Sequence, residues 1–348
     1  MKPSFPNAKW CFSSRRIDPA LAHGLDKDVA SAKPGDMILG RVISIGQHAR
    51  IQLPTGRPAT LYPGDLVAMP CGARYAPDQF EGLAEIDPKG CDMLAGGGCL
   101  GRMIHRNTRR KEPTRVQPLG RILDATGKVI STEDHALPAI GSAFSPDIPI
   151  IGVFGAAMNS GKTTAAVALS HGLTKAGWKV AALKGTGTGA FGDFNDYVDT
   201  GASMVADFTD AGMVTTYLES HKRVMRAITD LVAEAQSQGC DIAVLEIADG
   251  LFQRETAALL ADPKFRAMLT GTLFACGDPL AASGGVLALA RNHIRPLALT
   301  GMVSCSPMAT AEAKQNTGID VLTRQNLLDP AEANRLATLA STKLSTAA

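Results

Sequence analysis

The sequence lacks the features that mark secreted, membrane-spanning and zinc-stabilised proteins. Its seven cysteines are an odd number, with no Cys-x-x-Cys pair and no nearby histidines at zinc spacing, which argues against a disulfide framework or a structural zinc site. No uninterrupted apolar run reaches the roughly 18 residues that a membrane helix needs, and the N-terminus has no signal-peptide core. We therefore expect a soluble, cytoplasmic protein with reduced thiols and no membrane partner.

Net charge and aromatic side chains are also scarce. The formal net charge of the 348 residues is only +2, and aromatic residues make up 5% of them. One basic run, at residues 102–115, contains six Lys and Arg residues, but no aromatic residue lies among them and only Glu112 opposes them. Nucleic acid is therefore an unlikely partner. The run is either a solvated surface or a cationic wall that receives an anionic small-molecule substrate.

The chain divides near residue 145 into two regions with different patterns. Before this point, short apolar runs that often alternate with polar residues are separated by turn formers, as in a small β-barrel or sandwich. These runs lie at 36–48, 49–54, 57–62 and 65–69. Residues 137–149 have the composition of a connector. We predict a β-rich domain over residues 1–145, which serves as a substrate or partner module.

From residue 146 onward, strand-like segments alternate with helical ones. The strand-like runs are apolar throughout, as expected of parallel strands that are buried on both faces. They lie at 149–154, 179–184, 241–247, 271–276 and 297–303, with a last short one near 319–322. This order predicts an α/β domain with a doubly wound, mostly parallel sheet over residues 146–348. Ligands are expected at the carboxyl ends of its strands.

The strongest functional signal is IIGVFGAAMNSGKTTAA, residues 150–166. Its order of apolar strand, small residues, Gly-Lys-Thr and alanine-rich helix predicts a phosphate loop. In such a loop, backbone N–H groups converge on an anion, a lysine neutralises the terminal phosphates and a hydroxyl holds Mg²⁺. The predicted nucleotide-binding residues are Gly155, Ala157, Asn159, Ser160, Gly161, Lys162, Thr163 and Thr164.

The spacing of this loop is unusual, because five residues rather than four separate Gly155 from Gly161. It resembles the loop of dethiobiotin synthetase and the glutamine-dependent cobyrinate amidases, which belong to a class of P-loop NTPases that also includes signal-recognition GTPases. The resemblance covers roughly residues 148–325. It implies that Lys184, at the end of the second strand, binds phosphate and substrate, and that Glu246, at the end of a later strand, is a magnesium ligand.

Other residues add to this resemblance or depart from it. The glycine-rich segment from Lys184 to residue 197 is similar to the adaptor protein of molybdopterin-guanine dinucleotide synthesis, which is a binding partner. Thr163, Glu246 and either Asp193 or Asp196 are the predicted magnesium ligands. Where the synthetases bind adenine with an Asn, this sequence has Cys305. The chain also lacks the Asn-Lys-x-Asp motif of most GTPases, which favours ATP over GTP.

Two functions are consistent with these residues. The first is Mg²⁺-ATP-dependent phosphoryl transfer by a kinase or ligase that activates a small carboxylate, amine or hydroxyl compound. Its catalytic residues would be Lys162, Lys184 and Glu246. The alternative is a nucleotide-dependent switch or adaptor whose N-terminal domain binds a partner. A homodimer is the expected assembly if the protein is not a monomer.

Overall fold

The computed structural model describes residues 7–138 and 145–347, so that residues 139–144 of the predicted connector lie outside the described residues. The chain forms two compact units. The first consists of Met1–Pro138, Gly187–Gly192 and Phe208–Glu219; the second consists of Ala139–Thr186, Asp193–Asp207 and Ser220–Ala348. The division predicted near residue 145 did not anticipate the two later segments that belong to the first unit.

The first unit is built on a β-sheet of nine strands with a separate two-stranded hairpin. Its strands are β1 (Lys9–Trp10), β2 (Gly24–Asp26), β3 (Met37–Ser44), β4 (Arg50–Gln52), β5 (Pro58–Thr60), β6 (Leu66–Pro70), β7 (Arg74–Tyr75), β8 (Phe80–Leu83), β9 (Cys91–Ala95), β10 (Cys99–Arg106) and β11 (Thr114–Leu123). The sheet order is β1-β6-β3-β11-β9-β10-β8-β7, with β2 beside β11, and β4 pairs with β5. Among the described strands of this unit, β1 and β6 alone pair in parallel. The β-rich character predicted for this region is therefore present.

One hydrophobic core of the first unit, which contains Cys11, Ile38 and Leu100, lies inside a ring of strands. A bridge between Cys71, directly after β6, and Leu100 in β10 links the two ends of the path β6-β3-β11-β9-β10. Side chains in β11 alternate between buried and less buried positions, which is the pattern of a strand with one face on a core. Cys11 is wholly buried here, and burial raises its pKa to about 11. This thiol is thus a packing group rather than a nucleophile.

Two segments from the later part of the chain complete the first unit, and they pair with each other. The Gly189 N–H donates to the Val214 carbonyl at 3.0 Å, and the Thr216 N–H donates to the Gly187 carbonyl at 2.9 Å. Val214 is buried in a small hydrophobic cluster with Cys99, a β10 residue. Both segments are therefore integral to the hydrogen bonding and packing of this unit.

Side chains fasten the same segments further. Arg15 forms an ion pair with Asp210, and both side chains are close to nine-tenths buried, with exposures of 12% and 10%. The Tyr217 hydroxyl donates to a Glu81 carboxylate oxygen at 2.6 Å. Because a buried ion pair is costly to break by removal of one partner, the Arg15–Asp210 contact fixes this segment firmly.

The second unit is an α/β structure with a six-stranded parallel sheet. Its strands are β12 (Ile150–Gly155), β13 (Val180–Lys184), β14 (Met204–Asp207), β15 (Ile242–Glu246), β16 (Gly271–Ala275) and β17 (Ala298–Thr300). Its helices are α1 (Lys162–Lys175), α2 (Phe191–Val198, whose first two residues belong to the first unit), α3 (His221–Ser237), α4 (Arg254–Ala261), α5 (Pro263–Met268), α6 (Pro279–Ala290), α7 (Pro307–Thr317), α8 (Arg324–Leu328) and α9 (Pro330–Ala347). The strand order is β14-β13-β15-β12-β16-β17, and every neighbouring pair is parallel.

The predicted strands of this unit are present, with two differences. β14 was not predicted, because its four residues, ending in Asp207, are too short for an apolar pattern to be recognised. The last predicted strand, near 319–322, is reduced to one parallel bridge between Leu299 and Val321. Helices α1, α8 and α9 pack with the sheet in one hydrophobic core, to which α1 contributes mainly alanine and leucine.

The parallel arrangement explains how distant residues meet at one edge of this sheet. β12 lies beside β15, and β15 lies beside β13, so the carboxyl ends of the three strands are neighbours. Lys184 and Glu246 are the last residues of β13 and β15, and they are opposite each other in the strand register. Among the described residues, no helix combines the length and apolar character needed to cross a membrane.

Candidate phosphate-binding site

The loop between β12 and α1 has the backbone of a tight anion-binding turn. β12 ends at Gly155 and α1 begins at Lys162. Within the loop, Asn159 and Gly161 adopt left-handed conformations, with φ of 64° and 102°. The first N–H groups of a helix have no intrahelical partner and carry the positive end of its dipole, so this turn is suited to bind an anion.

The loop is also packed closely against the turn that follows β17. A Cβ atom at Gly301 would lie only 2.2 Å from the carbonyl oxygen of Ser160, so only glycine fits at this position. The Ser160 hydroxyl is buried and has no hydrogen-bond partner among the described residues. Since an unpaired buried hydroxyl costs about 1–3 kcal/mol, a phosphate oxygen at this loop would relieve it. The loop therefore fits a phosphate group.

Lys162 is a buried cation at the start of α1. Its side-chain nitrogen Nζ donates to the carbonyl of Ala157 at 2.8 Å, and the residue is only 6% exposed. Burial lowers its pKa, although the carboxylates of Glu246 and Asp249 act in the opposite direction. Among the described residues, Lys162 forms no ion pair within 4 Å. A buried ammonium group without a paired anion is costly, which is expected of a side chain that binds an anionic ligand.

The carboxylate of Glu246 is the centre of a hydrogen-bonded network. It accepts hydrogen bonds from the Thr163 hydroxyl at 3.1 Å, from Lys184 Nζ at 3.4 Å and from the Tyr197 hydroxyl. Lys184 also pairs with Asp193. Burial alone would lower the pKa of Lys184, but the two carboxylates outweigh it and the pKa is raised. Four predicted site residues therefore meet here, together with Tyr197.

The structure separates the two aspartates that the sequence left as alternatives. Asp193 is bound to Lys184, whereas Asp196 is exposed. Although Asp196 is exposed, partial desolvation and the neighbouring carboxylates of Asp193 and Asp199 raise its pKa. In the described part of the chain, no group of three or more His, Cys, Asp and Glu side chains is arranged to hold a metal ion. Thr163 and Glu246 are the pair that could hold Mg²⁺ if phosphate oxygens and water complete the coordination.

A pocket of about 380 Å³ adjoins the phosphate loop. Its walls are formed by Gly161, Thr164, Ala165, Thr300, Gly301, Met302, Ser304, Cys305, Thr323, Arg324 and Gln325. Cys305, the predicted base-contacting residue, is among them and is exposed. None of the described lining residues is acidic, but the Gln325 amide offers both a donor and an acceptor. The pocket has the volume and polarity to hold a planar heterocycle.

Several residues of this site were missed by the sequence analysis. Tyr197 lies four residues after Asp193 in α2, and helical spacing of i and i+4 could have placed both on one face. Asp249 follows Glu246 by three residues, where a loop at the end of a parallel strand is a usual ligand position. Arg324 and Gln325 follow the short predicted strand near 319–322, so the same rule could have pointed to them.

The basic run of the first unit is mostly neutralised by acidic residues that are distant in sequence. Four of its arginines form ion pairs among the described residues: Arg102 with Glu85 at 2.7 Å, Arg106 with Glu112 at 2.8 Å, Arg110 with Asp78 at 4.0 Å and Arg115 with Asp92 at 2.5 Å. His105 lies 2.7 Å from a carboxylate oxygen of Glu81. Most of these acids lie on or beside neighbouring strands, which is why a local reading of the sequence overlooked them. The pairing favours a solvated surface over a cationic wall.

Comparison with protein-family models finds no match, and neither does comparison with curated proteins. Solved structures that resemble the chain include the signal recognition particle 54 kDa protein of Aeropyrum pernix K1 in complex with GDP, at 19% identity and a TM-score of 0.36; the match covers 59% of this chain and 49%, about half, of that protein. The signal recognition particle receptor FtsY of Elizabethkingia anophelis matches at 17% identity and a TM-score of 0.35, over 60% of this chain and 68% of its own. FtsY of Mycoplasma mycoides matches at 15% identity and 0.37, over 61% and 72%. Relation to the dethiobiotin synthetase group stays a prediction, while the second unit itself has the α/β architecture and loop of a P-loop domain.

Proposed function

We propose that the protein binds a nucleoside triphosphate together with Mg²⁺, hydrolyses it, and acts as a nucleotide-dependent switch. The observation that carries this proposal is the contact of α2 with the centre of the site. Through Tyr197 and Asp193, this helix holds the same Glu246 and Lys184 side chains that a bound nucleotide and its metal would need. We therefore expect nucleotide binding to change the contacts of α2.

Phosphate binding is supported by three groups that converge on one loop. The left-handed turn at Gly161 opens the N-terminus of α1, the Ser160 hydroxyl lacks a partner, and the Lys162 ammonium lacks an ion pair among the described residues. The unpartnered hydroxyl and the unpaired ammonium are each costly, and the same anion satisfies both. A triphosphate supplies several oxygens at the spacing of such a loop.

Magnesium would be held by the hydroxyl of Thr163 and the carboxylate of Glu246. Bound Mg²⁺ supplies positive charge that neutralises the phosphates and stabilises the leaving group. The Glu246 carboxylate already accepts the Thr163 hydroxyl at 3.1 Å, so two candidate ligands are oriented together before any metal binds. The metal would then compete with the Tyr197 hydroxyl for the Glu246 carboxylate.

The switch is favoured over the kinase or ligase by the state of Lys184. A cation that orients a second substrate needs donors facing that substrate, but Lys184 is engaged by both Glu246 and Asp193 and is 9% exposed. This arrangement couples Lys184 to α2 instead. The paired basic run of the first unit likewise gives little support to an anionic small-molecule substrate.

Helix α2 gives such a switch a route along the chain. Its first residues belong to the first unit, where the Phe191 N–H donates to the Gln52 side-chain oxygen at 2.8 Å and the ring packs edge-on against Phe12. Its later residues hold Glu246 and Lys184 in the second unit. A nucleotide that displaces Tyr197 would therefore change the contacts of a helix whose first two residues are assigned to the first unit.

The residues that line the pocket beside the phosphate loop indicate which nucleotide base the site prefers. Recognition of guanine commonly uses a carboxylate, and no described lining residue is acidic. Gln325 can pair a donor and an acceptor with a purine edge, whereas the guanidinium of Arg324 only donates. We expect ATP to bind at least as well as GTP, with a difference within a few-fold.

Hydrogen exchange of α2 tests the switch directly. In the wild type, Mg²⁺ with a non-hydrolysable ATP analogue should change the exchange of amides 191–198, and Lys162→Met should abolish this change. Arg102→Met is the matched control, because it removes a cation that is paired on the surface of the first unit. Tight nucleotide binding without any change in α2 would contradict the switch. Hydrolysis that requires an added small carboxylate, amine or hydroxyl compound would restore the kinase or ligase as the better hypothesis.

A further inference from the structure

The loop after β15 carries a carboxylate whose surroundings differ from those of the other acids of the site. Glu246 has three hydrogen-bond donors, and Asp193 is paired with Lys184. Asp249, in contrast, makes no hydrogen bond and no ion pair within 4 Å among the described residues. Unlike the exposed Asp196, Asp249 is partly buried, and no donor among the described residues holds its carboxylate in place.

The backbone on both sides of Asp249 is firmly fixed. The Ala248 N–H donates to the Thr186 hydroxyl at 2.7 Å, and the Ala248 carbonyl accepts from the Thr256 hydroxyl at 3.2 Å. On the other side, a Cβ atom at Gly250 would lie 2.5 Å from the carbonyl oxygen of Ala156 in the phosphate loop. Asp249 is thus held by a rigid turn that directly contacts the loop.

The conformation and surroundings of Asp249 cost stability. Its φ of 64° is left-handed, which costs a residue other than glycine about 1 kcal/mol. Burial raises its pKa to about 6, although the nearby ammonium groups of Lys162 and Lys184 lower it. The carboxyl group therefore lies in a partly water-excluded place, within electrostatic reach of both ammonium groups. A strained and poorly solvated acid at a ligand site is the usual sign of a functional role.

Resting on the proposed nucleotide binding, we infer that Asp249 is a catalytic residue, which orients the water that attacks the terminal phosphate and accepts its proton. In this step, the water oxygen forms a bond to the terminal phosphorus while the bond from that phosphorus to the bridging oxygen breaks. The electron pair of the broken bond leaves with the nucleoside diphosphate. The proton of the water passes to Asp249 and then to the released phosphate.

The charges around the site are consistent with neutralisation of phosphate by a cation and orientation of water by Asp249. Lys162, which has no ion pair among the described residues, neutralises charge on the terminal phosphate, which by itself would be repelled by a carboxylate. A water molecule between Asp249 and the phosphate separates the two anions and uses the acceptor capacity of the carboxylate. Glu246 is unsuited to this task, because its oxygens already accept hydrogen bonds from three donors.

The test compares Asp249→Asn and Asp249→Gly with the wild type. Both variants lack the proton acceptor, and both residue types tolerate the left-handed backbone, so the melting temperature should not fall. We expect kcat for ATP hydrolysis to fall about a hundredfold, while KM and the Mg²⁺ dependence of nucleotide binding stay within about threefold. Asp249→Glu should restore part of the turnover. Asp199→Asn removes an exposed acid beyond α2 and should match the wild type.

Each outcome decides between the function and this inference. Turnover of Asp249→Asn equal to that of the wild type would overturn the role of Asp249, while nucleotide binding measured by calorimetry would still support the proposed function. Tighter ATP binding with unchanged kcat would show that the carboxylate merely repels phosphate, and would also overturn it. Absence of nucleotide binding by the wild type would overturn both.

Discussion

In the first unit, Arg102 and Arg106 of the basic run contact exposed carboxylates, whereas in the second unit Lys162 is buried without an ion pair among the described residues. Both regions are rich in charged side chains, but the surroundings of these charges differ. Exposed ion pairs stabilise a protein by only about 0–1 kcal/mol. They do not indicate a binding site for any particular ligand. An unpaired buried cation destabilises the protein until an anion arrives. The comparison teaches that isolation of a charge, rather than the number of charges, marks the site.

The largest effect should come from Lys184→Met. This change leaves the carboxylate of Glu246, which is 1% exposed, without its cation. Removal of one partner of a buried pair typically costs about 3–5 kcal/mol. Denaturant unfolding should show a loss of this size for the second unit. The matched control is Lys128→Met, which breaks the exposed ion pair of Lys128 with Asp134. This variant should change the free energy of unfolding by less than about 0.5 kcal/mol. Equal losses in both variants would contradict the distinction.

Lys162→Met should affect ligand binding rather than stability. Loss of the phosphate-facing ammonium should weaken ATP binding at least about a hundredfold, or about 2.7 kcal/mol. Because Lys162 has no ion pair to lose, the melting temperature without nucleotide should stay the same or rise. Calorimetry with Mg²⁺-ATP measures the first effect and a thermal melt the second. Retained ATP affinity would remove the basis for a phosphate loop at this position.

Sequence reasoning predicted the positions of residues that lie in one contiguous loop or at the ends of parallel strands. The phosphate loop is contiguous, and Lys184 and Glu246 end apolar strands, whose carboxyl ends must share one edge. Sequence reasoning did not predict contacts between side chains that pairing of distant segments brings together. The acids facing the basic run, such as Glu85, and the contact of Tyr217 with Glu81 depend on strand register and chain path, which no local pattern encodes.

The first unit also contains a titratable group whose burial gives a smaller effect. Burial, together with the nearby charge of Arg74, lowers the pKa of His48 to about 4 from its ordinary 6.5. The ring lies 3.0 Å from the side chain of Gln79, 3.2 Å from the carbonyl of Met93, and edge-on to Phe80. As the pH falls below 6.5, the unfolded chain takes up the proton before the folded one does.

Stability of the first unit should therefore decrease between pH 6.5 and pH 4, by about 1.5 kcal/mol after allowance for the partial exposure of the ring, and level off below. His48→Gln should flatten this part of the profile. The measurement is the free energy of unfolding at several pH values for both proteins. Parallel profiles for the variant and the wild type would show that His48 is protonated in the folded state.

The smallest effect is expected from Tyr197→Phe. The change removes one hydrogen bond to Glu246, which is worth about 1 kcal/mol. The same change removes a competitor for that carboxylate, so Mg²⁺-nucleotide affinity should rise a few-fold. Thr229→Val, in the middle of α3, removes a hydroxyl far along the chain from these residues and should leave affinity unchanged. Weaker nucleotide binding by Tyr197→Phe would mean that the hydroxyl supports the bound state instead.

The division of the chain has a consequence for biosynthesis. The path passes between the units five times, at 138/139, 186/187, 192/193, 207/208 and 219/220. A ribosome that has made residues 1–138 has not yet supplied Asp210 for Arg15 or Val214 for the cluster around Cys99. The N-terminal unit can thus be completed only after residue 219 has left the exit tunnel, when three strands of the second sheet have already emerged from it. Expression of residues 1–138 alone should give an insoluble or protease-sensitive fragment.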